Sequence, residues 1–140
     1  MEITNNAVQT VTAGNNVVFG STAVSGGACI VHREGSGLVT LRGLTNSQCR
    51  ARCRVSFGAN IAVPTGGTAG AISMAISING EPVQTSSMIT TPAAVNEYHN
   101  VYASIFIDVP KGCCTQVSVE NTSTVSINVQ NANLIVERVA

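Results

Sequence analysis

Residues 49–57 decide the fold, and they read Cys49-Arg50-Ala51-Arg52-Cys53-Arg54-Val55-Ser56-Phe57. Arginine alternates with small or apolar residues through most of this stretch. Successive side chains of a β-strand point to opposite faces of a sheet, so this spacing predicts a strand with one buried face. The outer face carries the arginine stripe, defined as Arg50, Arg52 and Arg54. The inner face carries the predicted core side chains Cys49, Ala51, Cys53, Val55 and Phe57.

Similar short runs recur outward from this stretch in both directions, separated by Gly, Pro and Asn. The chain is rich in Val, Ile, Thr, Ser, Asn and Gly, which favour strands and turns, and no stretch shows a capped 3.6-residue period. We expect strands within residues 7–11, 17–19, 29–33, 38–42, 50–61, 71–78, 83–90, 97–109, 116–120, 125–129 and 134–139. The pair Asn79-Gly80 predicts a tight hairpin. About ten strands without a helix are typical of an all-β, two-sheet antiparallel jelly-roll sandwich.

The domain organisation is predicted from the chain length and from the lack of repeats and long linkers. A chain of 140 residues fits one domain, and no fixed-period repeat or long linker divides it. We therefore predict a single jelly-roll domain over residues 1–140. The apolar run 134–139 should be held inside a sheet. The polar stretch 1–6 is the better candidate for a flexible arm.

The charge composition bears on partners. Only 10% of the residues are charged, against a usual share of about 25%, and seven basic residues balance seven acidic ones. A monomer with so little charge would have poor colloidal stability, so we expect partners to cover much of its surface. The strong basic excess of a nucleic-acid-binding protein is missing. No apolar run approaches the roughly 20 residues of a membrane span, and residues 1–6 do not resemble a signal peptide. We expect neither a nucleic-acid partner nor a membrane.

The five cysteines, at positions 29, 49, 53, 113 and 114, cannot all pair within one chain. On an extended strand Cys49 and Cys53 would lie about 13 Å apart, too far for a disulfide, which needs Cα atoms within roughly 7 Å. A zinc site built from these two with Cys29 and His32 is the alternative. We favour free thiols that pack as small hydrophobes, and we expect no metal and no cofactor.

The arginine stripe has two interpretations. A guanidinium suits carboxylates, phosphates and sulfates, so the stripe could contact an acidic partner or a glycan. Adjacent like charges also need counter-charges nearby, so it could instead pair with a neighbouring subunit or with the protein's own Glu97, Glu120 or Glu137. We favour pairing within the protein or across a subunit contact.

Catalytic chemistry is not indicated. The only histidines are His32 and His99, and no Gly-x-Ser-x-Gly elbow is present. The acidic residues are scattered singly, without the paired carboxylates of a glycosidase, and no phosphate-binding or calcium loop is present. We therefore expect no enzyme and no catalytic residue. Candidate partner contacts are the residues Arg50, Arg52, Arg54, Tyr98, His99 and Tyr102.

As a whole the chain resembles small jelly-roll modules of the tumour-necrosis-factor and complement C1q type. The resemblance covers nearly all residues and rests on the length, the ten-strand rhythm and three long strands, Arg50–Pro64, Asn96–Tyr102 and Asn133–Val139. Such modules also occur in bacterial spore-surface proteins and in head fibre or decoration proteins of tailed phages. The chain is also similar to short proteins common in prophages of gut Firmicutes. This resemblance implies a homotrimer in which apolar strand faces meet around a three-fold axis.

Three alternative functions are considered for this protein. The resemblance favours a phage virion protein, namely a trimeric head fibre or capsid decoration. We expect it to be made in a bacterial cytoplasm without a signal peptide and to be carried on the virion surface. Its partners would then be capsid or other virion proteins. The second is a receptor- or glycan-binding module of a fibre tip or bacterial surface, suggested by the arginine stripe. The third, a cupin-like metalloenzyme, would need a cluster of His and carboxylate ligands that two isolated histidines do not supply.

Overall fold

The computed structural model describes residues 1–43, 50–112 and 114–140. These residues form short and long β-strands and one turn of 3₁₀-helix, Gln84–Ser86. In chain order the strands are β1 (Glu2–Asn5), β2 (Gln9–Val11), β3 (Ser21–Val24), β4 (Ile30–His32), β5 (Val39–Leu41), β6 (Arg50–Ala62), β7 (Ile72–Ile78), β8 (Glu81–Pro82), β9 (Met88–Thr90), β10 (His99–Pro110), β11 (Thr115–Asn121) and β12 (Ile127–Arg138). Within the described ranges, no helix has the length and hydropathy needed to cross a membrane.

The strands build two antiparallel sheets. The first sheet has the order β10-β6-β12-β1-β3, with β2 also pairing with β12. The second has the order β4-β5-β11-β7-β8, with β9 also pairing with β7. Two packed antiparallel sheets confirm the predicted all-β jelly-roll sandwich.

The core lies between the two sheets and is centred on aromatic and aliphatic side chains. Phe57 of β6 packs edge-to-face on Phe19, with ring centroids 6.3 Å apart, and both rings are fully buried. The predicted inner face of β6 is buried at Ala51, Cys53, Val55 and Phe57, while Cys49 falls outside the described residues. The period-two pattern of this strand was therefore a correct guide to the core.

The hairpin at Asn79-Gly80 forms as predicted. Ile78 pairs with Glu81 across it, and both turn residues have positive φ, 50° and 84°, as a two-residue hairpin turn requires. The returning segment differs from the single strand expected over 83–90. After the short β8 the chain makes its 3₁₀ turn, and the Ser86 hydroxyl accepts a hydrogen bond from the Ile76 N–H at 2.9 Å. A side chain thus replaces a backbone partner here, and pairing with β7 resumes only at β9.

Both ends of the chain differ from the sequence-based expectation. Residues 2–5, expected in a flexible arm, form β1, which lies between β12 and β3. Ile3 explains this, since its side chain is fully buried and it pairs with Leu134. The two runs 125–129 and 134–139 join into the single strand β12, whose pairing with β6 shifts near Asn131. Asn131 has a φ of 56°, which Asn tolerates better than most residues.

A matched pair of isoleucines tests this core. Ile76 of β7 is fully buried, whereas Ile89 of the adjacent β9 is 70% exposed. We expect Ile76→Ala to lower the free energy of unfolding by about 2–5 kcal/mol, because it removes buried methyl groups and leaves a cavity. Ile89→Ala should change it by no more than about 0.5 kcal/mol. Urea denaturation at one fixed protomer concentration measures both, and equal effects would contradict the described core.

Candidate assembly face

The outward side of β10, β6 and β12 forms one continuous surface, which we call the assembly face. On β6 its members are the even-numbered residues from Arg52 to Asn60, because the odd-numbered ones point into the core. Ser56 lies at its centre, opposite Ser104 of β10 and Ile135 of β12. The pairing of these three strands therefore decides which side chains meet on this surface.

The centre of the face is apolar and exposed. Tyr102 is 66% exposed, Phe106 is 64% exposed and Ile135 is 38% exposed. Gly58 lies opposite Tyr102 in the register, and a Cβ added at Gly58 would sit 3.7 Å from Cδ2 of that ring. The Tyr102 ring therefore lies against the strand at Gly58. Large exposed side chains grouped in this way mark interaction surfaces, whereas single ones do not.

Hydroxyl groups surround the base of this apolar centre. Ser56 is only 8% exposed, and its Oγ lies 2.9 Å from Oγ of Ser104. The pKa of Tyr102 is lowered, first by hydrogen bonding to Ser56, then by Ser104, with a smaller contribution from the charge of Arg54. The two serine hydroxyls thus bond each other beside Tyr102, and the exposed part of the Tyr102 ring remains available for contact.

Paired charges occupy one end of the face. Arg52 binds Asp108 through two hydrogen bonds, Nε–Oδ1 at 2.8 Å and Nη2–Oδ2 at 3.1 Å, and this hydrogen-bonded pair raises the pKa of Arg52. Arg54 Nη2 lies 2.5 Å from Oε1 of Glu137. These pairs are half-exposed, so solvent screening keeps their contribution to stability small. The described charges of Arg52 and Arg54 on this face therefore each lie beside a carboxylate.

The structure thus assigns partners within the chain to two members of the arginine stripe. Glu137 was one of the three expected acidic partners. Glu97 instead pairs with His99, and Glu120 lies on β11 in the second sheet. Arg50 belongs to β6, but its side chain falls outside the described part of the structure.

Side-chain amides occupy the other end of the face. Asn100 Nδ2 donates to Asn60 Oδ1 at 3.2 Å, and Asn60 Nδ2 donates to Asn131 Oδ1, also at 3.2 Å. This row crosses β10, β6 and β12. Along the strands, the assembly face therefore carries paired charges toward one end, exposed aromatic side chains nearer the middle and amides at the other end.

His99 and Tyr98 lie beside the face. Tyr98 precedes β10 and is partly exposed. His99 begins β10 and shares the inward parity of Val101, so it does not join the arginines. Its Nδ1 lies 2.7 Å from Oγ1 of Thr90 and its Nε2 lies 2.9 Å from Oε1 of Glu97. Since Thr90 is on β9, this network links the edges of the two sheets.

The zinc alternative receives no support from the described geometry. Across residues 1–43, 50–112 and 114–140, no three His, Cys, Asp or Glu side chains are grouped to hold a metal ion. Cys53 is buried, and burial raises the pKa of its thiol, which disfavours the thiolate that zinc binds. His32 Nε2 lies 2.9 Å from the Ser36 carbonyl oxygen. Cys49, the remaining member of the proposed set, lies outside the described residues.

Three residues of the face were missed from the sequence: Phe106, Asp108 and Ile135. The signal for the first two was present, because both follow Tyr102 at even spacing along one strand and must share its face. Ile135 could not be placed from the sequence, because its position depends on the irregularity of β12 near Asn131.

Comparison with known proteins shows the fold. No family model matches the chain, and no curated protein sequence is significantly similar to it. The globular domain of zebrafish complement 1qA superposes with a TM-score of 0.64 at 13% identity, over 96% of this chain and 93% of that one. Two further structures are similar only at a low level. The sugar-binding EclA C-terminal domain has a TM-score of 0.40 at 12% identity, over 95% of this chain and 80% of that one. CBM35 from Cellvibrio japonicus Abf62 has a TM-score of 0.39 at 11% identity, over 100% of this chain and 97% of that one, and both are too distant to support an argument. The chain is thus a C1q-like jelly roll, as the resemblance implied.

The Glu97–His99 pair predicts a pH dependence. Hydrogen bonding to His99 is the main cause of the lowered pKa of Glu97. A lowered folded-state pKa stabilises the fold above the ordinary value of 4.5, and this contribution is lost as the pH falls through the folded-state pKa. We therefore expect Glu97→Gln to destabilise the protein at neutral pH and to have a vanishing effect at an acidic pH below the lowered folded-state pKa of Glu97.

Chemical denaturation of both proteins at the two pH values measures this difference. Glu34→Gln is the control, because Glu34 is exposed and forms no ion pair within the described ranges. A Glu97→Gln effect that is the same at both pH values would contradict the assigned pair.

Proposed function

We propose that this C1q-like jelly roll is a non-enzymatic, self-assembling structural subunit that forms a homotrimer through its assembly face. The observation that carries the proposal is that one face presents three exposed large side chains, Tyr102, Phe106 and Ile135, together with paired charges and a row of hydrogen-bonded amides. Aromatic side chains are enriched in protein interfaces, and isolated charges are depleted from their centres. The low content of charged residues points the same way.

The edge of the first sheet supports the same proposal. β10 is an edge strand, and a long edge presents unpaired backbone groups unless something covers it. On its inward side Ala103 and Ile105 pack against the core but are only partly buried. A neighbouring copy placed along β10 would cover these two side chains and also Phe106 on the outward side.

This contact is heterologous, because the β10 edge of one copy and the β6–β12 part of the face on the next are different surfaces. Heterologous contacts make closed rings when the rotation between copies closes. The C1q-like fold leads us to expect closure at three copies. The glycan-binding alternative is weaker, since Arg52 and Arg54 already have carboxylate partners.

Substitution at the aromatic centre tests the trimer. We expect the wild-type chain to have a solution mass near three times 14.4 kDa by size-exclusion chromatography with light scattering. Phe106→Asp should give a folded monomer, because it removes the exposed ring and places an additional charged group in the contact. Ile89→Asp is the matched control, since Ile89 is equally exposed but lies on the second sheet.

Circular dichroism should show β-structure in both variants, which separates loss of assembly from loss of folding. A monomeric wild-type protein, or an unchanged trimer in Phe106→Asp, would contradict the proposal.

We further propose that the trimer belongs to a phage particle, as a head fibre or capsid decoration on the virion surface. The resemblance to such modules and the uncharged, assembly-prone surface support this placement. We expect mass spectrometry of purified particles from the encoding phage to detect the chain at a stoichiometry in multiples of three. Its absence from particles that contain the other virion proteins would refute this location and leave the trimer proposal untouched.

A further inference from the structure

A groove on the outer face of the second sheet is lined largely by hydroxyl groups. It consists of two adjoining concavities of about 470 and 310 Å³, which share Ser73, Ile89, Thr122 and Ser123. We call the two together the hydroxyl groove. Each volume lies within the range of small-molecule sites, roughly 300–1,000 Å³. The groove and the assembly face belong to different sheets.

The strand register brings the floor of the hydroxyl groove together. Ile89 of β9 lies opposite Ser73 of β7, and Thr122 directly follows β11, which pairs with the other side of β7. The Thr122 N–H donates to the Ser73 carbonyl oxygen at 3.2 Å, and the two hydroxyl oxygens lie 2.8 Å apart. The floor therefore places an exposed aliphatic side chain beside a pair of hydroxyls.

A buried asparagine holds the wall of the groove at residues 122–124. Asn121 is fully buried, and its Nδ2 donates to the carbonyl oxygens of Val11 and Val125, both at 2.9 Å. Its Oδ1 accepts the Ser123 N–H at 3.0 Å and also the Ser123 hydroxyl. The wall is thus fixed by the fold itself, which reduces the ordering cost of binding a ligand there.

The groove carries negative charge and no positive charge among its described residues. Glu120 is their one ionisable side chain, and it points outward because its neighbours Val119 and Asn121 are buried. The Gln84 amide and the Ser87 hydroxyl line the same end. A carboxylate only accepts hydrogen bonds, whereas amides and hydroxyls both donate and accept. The groove therefore matches a ligand that has many hydroxyl groups and no acidic group.

We propose that the hydroxyl groove binds a neutral oligosaccharide, with sugar hydroxyls bonded to Glu120 and Gln84 and a sugar C–H face against Ile89. A neutral sugar ring presents hydroxyls and C–H groups side by side, as this groove requires. An acidic sugar would bring its charge toward Glu120 without a cation to compensate it. A wholly apolar ligand would leave the polar groups of the groove without partners. This binding activity goes beyond the structural role proposed above.

Methyl NMR of isoleucine-labelled protein tests the site. Ile89 reports on the groove, and Ile135 is an exposed isoleucine on the assembly face. The neutral probes are cellohexaose, maltohexaose and mannohexaose. We expect at least one of them to shift the Ile89 methyl signal saturably while the Ile135 signal stays in place. Hexagalacturonate, an anionic chain of the same length, should bind about tenfold more weakly than that probe, because Glu120 repels its carboxylates.

Glu120→Gln should weaken binding of the same probe about tenfold, because a charge-assisted hydrogen bond becomes a neutral one. Glu34→Gln is the matched control, since Glu34 is exposed and lies off the groove. The probe comparison uses the wild-type chain, so it holds whether or not Glu120→Gln folds.

Four results would overturn the proposal: no saturable Ile89 shift with any neutral probe, a shift of Ile135 in its place, equal affinity for hexagalacturonate, or equal effects of the two glutamate substitutions. The monomeric Phe106→Asp variant should bind the probe as the wild type does, so this outcome is independent of the trimer.

Discussion

The antiparallel pairing of β6 with β10 governs the rest of the structure. The ladder runs without a break from Ile61 opposite His99 to Arg50 opposite Pro110. A slip of one residue would exchange the two faces of a strand, turning Phe57 outward and the arginines toward the core. Burying a charge without a partner costs far more than a single apolar contact contributes. The register is therefore strongly specified, and with it the surface that the two strands present.

In the proposed trimer, that surface would be prepared for burial before a partner arrives. A lone guanidinium moved into an interface would lose its hydration without compensation. Arg52 and Arg54 already hold carboxylates, and the Ser56 and Ser104 hydroxyls already bond each other. In water these polar contacts add little to stability. Their value is that covering the face leaves few polar groups unsatisfied, while the rings of Tyr102 and Phe106 lose contact with water.

The sequence alone was a sound guide wherever a strand was long and strictly alternating. It predicted β6, β10 and the Asn79-Gly80 hairpin, because period two and turn chemistry are local properties of the chain. It missed β1, since four residues with one buried side chain, Ile3, carry too little pattern. The sequence alone also could not indicate which acidic residue would pair with Arg52. The choice of Asp108 follows from the register between two strands nearly 60 residues apart, and one sequence does not encode that register locally.

The position of β12 has a consequence for folding. β12 lies between β6 and β1 in the first sheet and also pairs with β2, yet the ribosome makes it after all of them. Until residues 127–138 emerge, β6 lacks one neighbour and β1 lacks the strand that holds Ile3 opposite Leu134. Closing such distant contacts is slow, and unpaired strand edges are prone to aggregate meanwhile. The sheet that presents the assembly face is therefore completed only after β12 has been made, by insertion of its central strand.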